Sequence, residues 1–518
     1  MRESGVVSPH ELWNASSELS PRVRRLREEY FSLQDRPYFR NEVMPFTTGE
    51  QWDAVWSPLN WSIIPELVPF MGAFEESLRV LAREVELPEG FWEHSLIMRR
   101  ALFFREVCRR GLPVKILQGE LVVGGQFNTA LSKCHNREEG KKWKKEIEKW
   151  WKKAQEVNDL GVGNAGAVPG HLIPDYPRVL KEGLRGICED LEERKKEAGE
   201  GTAHADFLSA LMVCCQAARD LAGRYAEEAE RLAGEERDRE RARELKEMAR
   251  ICRKVPWEPA ETFHEAVQSL WFTHMLIMAA ESYPGAGLSH GRFDQYMYPF
   301  YREDRERGRL TREEAKEILE CYWIKHNYAY DFQCRVLSNQ GINSGFGQLM
   351  TIGGLDAEGK DASNELTWLI LEVIEEMNML EPKPNIRLHA GTPEPLLRRV
   401  AEMISRAQGS PFLMNFDENS MRGLAWQGLP EERLWDYAPV GCLENTLQGD
   451  DRSGTVDVNV NLAKAVEMTF FSGRDAATGK RIGPRTGRVE DLLTWEEFRM
   501  AFEAQLRALL DRIIEVSD

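Results

Sequence analysis

A cysteine and a glutamate two residues apart, Cys442 and Glu444, lie in the run Val440-Gly441-Cys442-Leu443-Glu444-Asn445. In an extended segment, a spacing of two puts both side chains on one face. A thiol and a carboxylate would then address one cavity, with sulfur as the reacting atom and the carboxylate as proton donor or acceptor. The lead-in Trp435-Asp436-Tyr437-Ala438-Pro439 reads as extended chain with a turn, because proline moves its predecessor out of the helical region. The ordinary fate of a cysteine is burial as a small apolar side chain, and the residues alone leave both readings open. His171, in Gly170-His171-Leu172-Ile173-Pro174-Asp175-Tyr176, is either presented to a site by its loop or hydrogen-bonded locally.

Other constellations are missing. The sequence has no Ser-His-Asp order, no H-E-x-x-H, no P-loop and no convincing G-x-G-x-x-G. A cysteine–histidine hydrolase stays open, with no spacing to nominate its histidine. The nine cysteines are scattered, odd in number and without C-x-x-C spacing. Neither a disulfide framework nor a zinc knuckle is therefore expected, and no bound metal.

The elements that must position this thiol come from a 518-residue chain, long enough for a large core. Its net charge of −17 argues against nucleic acid or an anionic membrane as partner. The start lacks the apolar run of a signal peptide, and no stretch of 18 apolar residues follows. The expected compartment is the reducing cytoplasm.

Along the chain, Ser20–Leu26 reads as a capped helix start, and apolar positions from Gly72 to Val107, including Leu78, Leu81, Ile97 and Phe103, recur at helical spacing. Pro113–Leu117 and Glu120–Gly125 read as strand and turn material. Lys141–Lys153 reads as a solvated helix with Trp143, Trp150 and Trp151 packed inward. Residues 205–254 are strongly helical, the part from Glu227 to Arg253 being dense in alternating charge and so exposed. A loop over 281–292 is followed by helices at Phe293–Arg302 and Thr311–His326, the second with a Thr311/Glu314 capping box. From Gln348, short strands (348–354, 385–389, 411–415) alternate with helices (364–379, 393–407), which predicts an α/β arrangement with a parallel sheet or barrel. The last helix carries Phe498, Phe502, Leu506, Leu509 and Ile513 on one stripe. It runs to Asp518 without a glycine cap or polar tail, the ending expected of a chain cut before its fold is complete.

Gly441-Cys442-Leu443-Glu444 resembles the G-C-[VIL]-E loop of glycyl radical enzymes, the pyruvate formate-lyase superfamily. Five more segments agree in order: Gly170-His171 with Pro174-Asp175-Tyr176; Pro259–Gln268; Gly291-Arg292-Phe293-Asp294-Gln295-Tyr296; Thr351-Ile352-Gly353-Gly354 with Asn364-Glu365-Leu366-Thr367; and Pro384-Asn385-Ile386-Arg387. The resemblance implies a ten-stranded β/α barrel surrounded by many helices. Residues 1–518 would form one such domain, helical to about residue 110, with the cysteine loop at about 435–460 entering the barrel. It implies that Cys442 becomes a thiyl radical and that Glu444 is the acid/base beside it. The cofactor would be a protein-derived glycyl radical, installed by a radical S-adenosylmethionine activating enzyme. The family's R-V-[AS]-G-[YF] segment is not present in this sequence, so the C-terminal glycyl radical domain is expected to be absent, the barrel incomplete and the isolated chain inactive.

Asn445, Thr446 and the run Asp451–Asp457 are most similar to the arylacetate decarboxylases. Diol dehydratases tend to carry a proline after the glutamate and a His-Ser pair before G-R-x-D-Q, where this chain has Ala286-Gly287, which would not bind a polyol hydroxyl. The expected reaction is decarboxylation of an arylacetate to a methylarene. Phe346 would line the ring slot, Ser282 contact the carboxylate and His171 face substrate. The alternatives are another glycyl radical lyase or dehydratase acting on a small molecule, or a non-catalytic remnant. A homo-oligomer is expected and a small accessory subunit is possible; nucleic acid and membrane are not expected partners.

Overall fold

The structure is a computed structural model that describes residues 19–32, 85–112, 114–125, 134–165, 170–280, 287–327, 347–379, 381–406, 408, 412–441, 443–450 and 458–517. Cys442, Ser282 and Phe346, together with Leu78 and Leu81, lie outside the described residues. The chain divides into two compact units, one of Met1–Asp53, Glu75–Cys134 and Pro169–Ser453, the other of Ala54–Phe74, His135–Val168 and Gly454–Asp518.

In chain order the described strands are β1 (Gly163–Ala165), β2 (Gly291–Arg292), β3 (Leu349–Gly353), β4 (Lys383–Leu388), β5 (Leu413–Phe416), β6 (Tyr437–Val440), β7 (Glu444–Leu447) and β8 (Val458–Val460). In the larger unit, β2-β3-β4-β5 form a parallel sheet, in register through Met350↔Pro384, Thr351↔Asn385 and Arg387↔Asn415. Helices Glu365–Met377 and Glu394–Ser405 link successive strands, as parallel pairing requires. The first begins at a complete capping box, Asn364 with Thr367. β3 is buried on both faces, which explains why all but Thr351 of its residues are apolar or glycine. β6 and β7 form an antiparallel hairpin in which Val440 faces Glu444.

Packed around the sheet is a helical layer dominated by Phe263–Ala280, whose Phe263, Trp271, Phe272 and Met275 are fully enclosed. The α/β arrangement with many helices is as the sequence predicts. The smaller unit pairs β1 with β8 antiparallel and packs helices Arg137–Asp159, Leu462–Phe470 and Trp495–Ser517 over Val157, Val162, Met468, Leu509 and Ile513. No helix among the described residues is long and apolar enough to cross a membrane.

Several local expectations are corrected. From residue 85 to 95 the chain is coil, turn and a single 3-10 turn, and the helix starts only where Ser95 caps it at Met98 N. Residues 114–117 and 120–125 form no strand. Their backbone is satisfied by side chains instead: Gln268 brackets Val123 N and O, and Arg241 takes Leu117 O and Glu120 O. The charged stretch at 227–253 is two helices, split at an Asp238 cap, and the second buries Leu245, Met248 and Ile251. Of the tryptophans expected to pack inward, Trp150 donates to Val516 O, whereas Trp143 is exposed and stacks on His135. Of the lead-in Trp435–Pro439, Trp435 and Asp436 end a 3-10 helix (Glu431–Asp436), while Tyr437–Pro439 are extended in β6 as expected.

Candidate active site

The turn bearing residue 442 is not the extended segment that the spacing argument assumed. Gly441 and Leu443 both have positive φ, +57° and +93°, so the chain reverses tightly between β6 and β7. Leu443 N closes the turn on Val440 O at 3.0 Å. An L-residue such as Leu443 seldom adopts this conformation, and its strain is carried by the hairpin that flanks it.

Glu444 opens β7, and its side chain meets the loop that carries His171. His171 Nδ1 lies 3.4 Å from Glu444 Oε1, with both side chains almost fully removed from solvent. His171 is itself left-handed (φ 51°), which aims its ring at the turn. Glycine makes the approach possible. A Cβ on Gly441 would stand 2.3 Å from His171 Cε1 and Nδ1; one on Gly287 would stand 2.7 Å from His171 Cδ2 and 2.8 Å from Gly441 Cα. The bare position at 287 is therefore required by packing, and it says nothing about how polar the substrate is.

Ser289, wholly buried, ties these pieces together. Its hydroxyl donates to Gly287 O (3.1 Å) and accepts from Leu349 N (3.2 Å) and Gly441 N (3.3 Å). Glu381 supports the next strand, its carboxylate accepting from Gly347 N and Gln348 N; burial pushes its pKa up.

Two buried arginines secure the lead-in. Arg387 forms a bidentate pair with Asp417 (Nε–Oδ1 2.8 Å, Nη2–Oδ2 3.0 Å) and donates to Trp435 O and Tyr437 O. Its guanidinium stands 4.0 Å from the Tyr437 ring centroid. Arg292 donates to Trp435 O, Gly353 O and Leu355 O, and burial, with Arg387 nearby, pushes its pKa down to about 10. Asp294 receives Gly353 N and Thr367 Oγ1, so the motif segments brace one another around the hairpin.

Behind Ser289, three buried histidines, His274, His290 and His326, bring ring nitrogens within 4.8 Å of one another. Their geometry is that of a hydrogen-bonded cluster. The rings of His274 and His290 stack 4.3 Å apart at 24°, which leaves their in-plane lone pairs nearly parallel. His290 Nε2 and His326 Nε2 face each other at 2.6 Å, below the about 3.3 Å that separates two nitrogens on one tetrahedral zinc. One set of tautomers satisfies every contact. His326 donates from Nδ1 to Tyr322 O and accepts at Nε2 from His290, whose Nδ1 accepts from the Tyr322 hydroxyl. His274 donates from Nε2 to Gln348 Oε1 and accepts at Nδ1 from the Tyr176 hydroxyl. All three are neutral: burial pushes His274 down to about 4 and the other two well below the usual histidine range.

Of the residues singled out in the sequence, His171 and Glu444 are thus brought together. Sequence reasoning missed Ser289, Arg292 and Arg387 as parts of the hairpin's support. The signal was available in polar residues set within apolar strand runs, which need buried partners.

A parallel strand–helix sheet carries a tight hairpin whose Glu444 stands beside His171. In family comparison, the pyruvate formate lyase-like profile matches residues 131–518. The chain belongs to this family, that of the glycyl radical enzymes. It is 36% identical over 341 residues to isethionate sulfite-lyase of Nitratidesulfovibrio vulgaris, covering 64% of this chain and 41% of that protein. To indoleacetate decarboxylase of Tractidigestivibacter scatoligenes it is 31% identical over 335 residues, 62% of this chain and 37% of that one. The glycerol-bound structure of the B12-independent glycerol dehydratase from Clostridium butyricum superposes with a TM-score of 0.74 at 26% identity, over 97% of this chain and 64% of that one. The chain thus spans about two fifths of the length of the curated relatives it matches. The similarity to a sulfite-lyase exceeds that to a decarboxylase, which reverses the order expected from the sequence.

Among the described residues, the groups shown in contact with Gly441 are His171, Gly287, Gly347 and Ser289, none of them a phenol, indole or thiol.

Proposed function

We propose that this chain is the thiol-bearing part of a glycyl radical lyase that eliminates a leaving group from a small hydroxylated molecule. The observation that carries this is the His171–Glu444 pair beside the turn of residue 442. Elimination from adjacent carbons needs a base for the hydroxyl on the carbon that loses hydrogen, and an acid when the departing group is hydroxide. A carboxylate with an imidazole beside it would supply both. When a glycyl radical is supplied, it would take the hydrogen atom of the Cys442 thiol and leave sulfur able to draw one from substrate. Glu444 then takes the hydroxyl proton, and His171 holds it or returns it to the leaving group. Such a radical step would need a site closed to water. A radical-installing S-adenosylmethionine enzyme is the implied partner.

Decarboxylation of an arylacetate is the second reading, supported by the indoleacetate decarboxylase similarity. It is the weaker of the two because Gly287, which had argued against a polyol, is explained by the approach of His171. Ser282 and Phe346 remain proposed substrate contacts.

The test is calorimetric titration of the purified chain with isethionate, glycerol and indoleacetate. Binding of a hydroxylated compound that Glu444→Gln abolishes is the expected result; binding of indoleacetate alone would overturn the proposal. With a radical-bearing polypeptide and activating enzyme added, sulfite or an aldehyde supports elimination, and carbon dioxide with a methylarene refutes it.

A further inference from the structure

A row of polar side chains crosses the sheet and ends on the hairpin. Thr351 on β3 and Asn385 on β4 are register partners, both wholly buried, with Thr351 Oγ1 3.5 Å from Asn385 Oδ1. Asn385 Nδ2 donates to Asn415 Oδ1 on β5 at 2.9 Å, and Asn415 Nδ2 donates to Asn445 Oδ1 on β7 at 2.9 Å. The ladder has a direction. Asn385 and Asn415 each donate and accept, whereas Asn445 takes part as acceptor alone. Such chained amides strengthen one another in a low-dielectric interior.

The ladder joins elements that backbone pairing leaves apart. Among the described residues β7 pairs with β6 alone, and β5 is the edge strand of the parallel sheet. β6 is held by Arg387 at Tyr437 O and by Tyr437 at Asp417, and Ser289 holds the turn at Gly441 N. β7, the strand that carries Glu444, is held to the sheet by Asn415–Asn445. Asn445 is also the position where diol dehydratases tend to have proline, which has no side-chain acceptor.

We propose that Asn445, acting through Asn415 and Asn385, is a positioning residue that sets β7 so that Glu444 meets His171. The inference rests on the site assignment above but is tested apart from it, by hydrogen exchange on the full chain. Because Asn445 only accepts, Asn445→Asp keeps its bond from Asn415, whereas Asn445→Leu loses it. Asn415→Asp also breaks the ladder, since it keeps the bond from Asn385 but has no donor left for Asn445 Oδ1. The expected result is that Asn445→Leu and Asn415→Asp speed exchange of the peptide spanning residues 443–448 about tenfold. Asn445→Asp should stay within about twofold of the native chain, and peptides from helix Phe263–Ala280 should not change. The proposal is overturned if Asn415→Asp leaves the hairpin unchanged, if Asn445→Asp behaves like the leucine variant, or if all peptides accelerate together. Exchange needs neither substrate nor radical; loss or retention of turnover in Cys442→Ala reads the site assignment separately.

Discussion

His171 Nδ1 stands 3.4 Å from Glu444 Oε1, on two segments 273 residues apart in sequence that meet at one tight turn. Both side chains are largely removed from solvent, and the proposed function has them hand one proton between them. Removing either member by Glu444→Gln or His171→Ala should lower turnover of the reconstituted enzyme by about 10²- to 10⁴-fold. The double variant should be little worse than the worse single, because groups that act together are not additive. Steady-state kinetics of the three proteins checks this, and additive losses would show two independent roles.

The glycine at 441 is bound to this pair by sterics. A methyl at its Cβ position would lie 2.3 Å from two atoms of the His171 ring, at a φ of +57° that L-residues avoid. Gly441→Ala should fold with a loss of about 1–3 kcal/mol and displace the ring. Denaturant titration measures the first effect; the imidazole chemical shift of His171 reports the second. An unmoved resonance would mean that the hairpin, not the ring, gives way.

Ser289→Ala removes one oxygen and fills no new space, yet it strips the partner from Gly441 N and leaves Gly287 O without its donor, while Leu349 N keeps its bond to Gly347 O. Leaving buried backbone groups unpaired should cost about 1–3 kcal/mol. Chemical denaturation gives the loss. A cost near zero would indicate that water replaces the hydroxyl.

Much of this architecture could be read from residue patterns. The strands at 349–353 and 385–388 are covered on both faces, the first mostly apolar and the second alternating apolar and polar residues, and the helix between them shows clear periodicity and a cap. The site was half legible. Glu444 could be nominated from its spacing to Cys442, but the extended geometry behind that argument is replaced by a turn with two positive φ values. His171 could not be paired with Glu444 from sequence, because the two are joined by tertiary packing alone. Thr351, Asn385 and Asn415 were visible as polar residues within strands, yet their shared ladder depends on register, which local sequence does not set. Gly287 was misread as a clue to substrate because its reason, contact with a ring 116 positions earlier, lies outside any local window.

The buried histidine cluster predicts how stability responds to acid. His274 is neutral in the fold, with its pKa pushed down to about 4 by burial, against about 6.5 in an unfolded chain. Between those values the unfolded state binds the extra proton, so this part of the stability is fully present above pH 6.5 and is lost as pH falls toward 4. For His274 alone the loss approaches about 3 kcal/mol. His290 and His326, shifted the same way, act in the same window. Urea midpoints of the native chain should therefore fall steeply from pH 7 to 5. His274→Gln, which cannot take the proton, should start less stable at pH 7, where its bonds to Tyr176 and Gln348 are altered, yet fall less steeply. Parallel slopes for the two proteins would show that His274 stays unprotonated in both states across this range, and that other groups set the acid response.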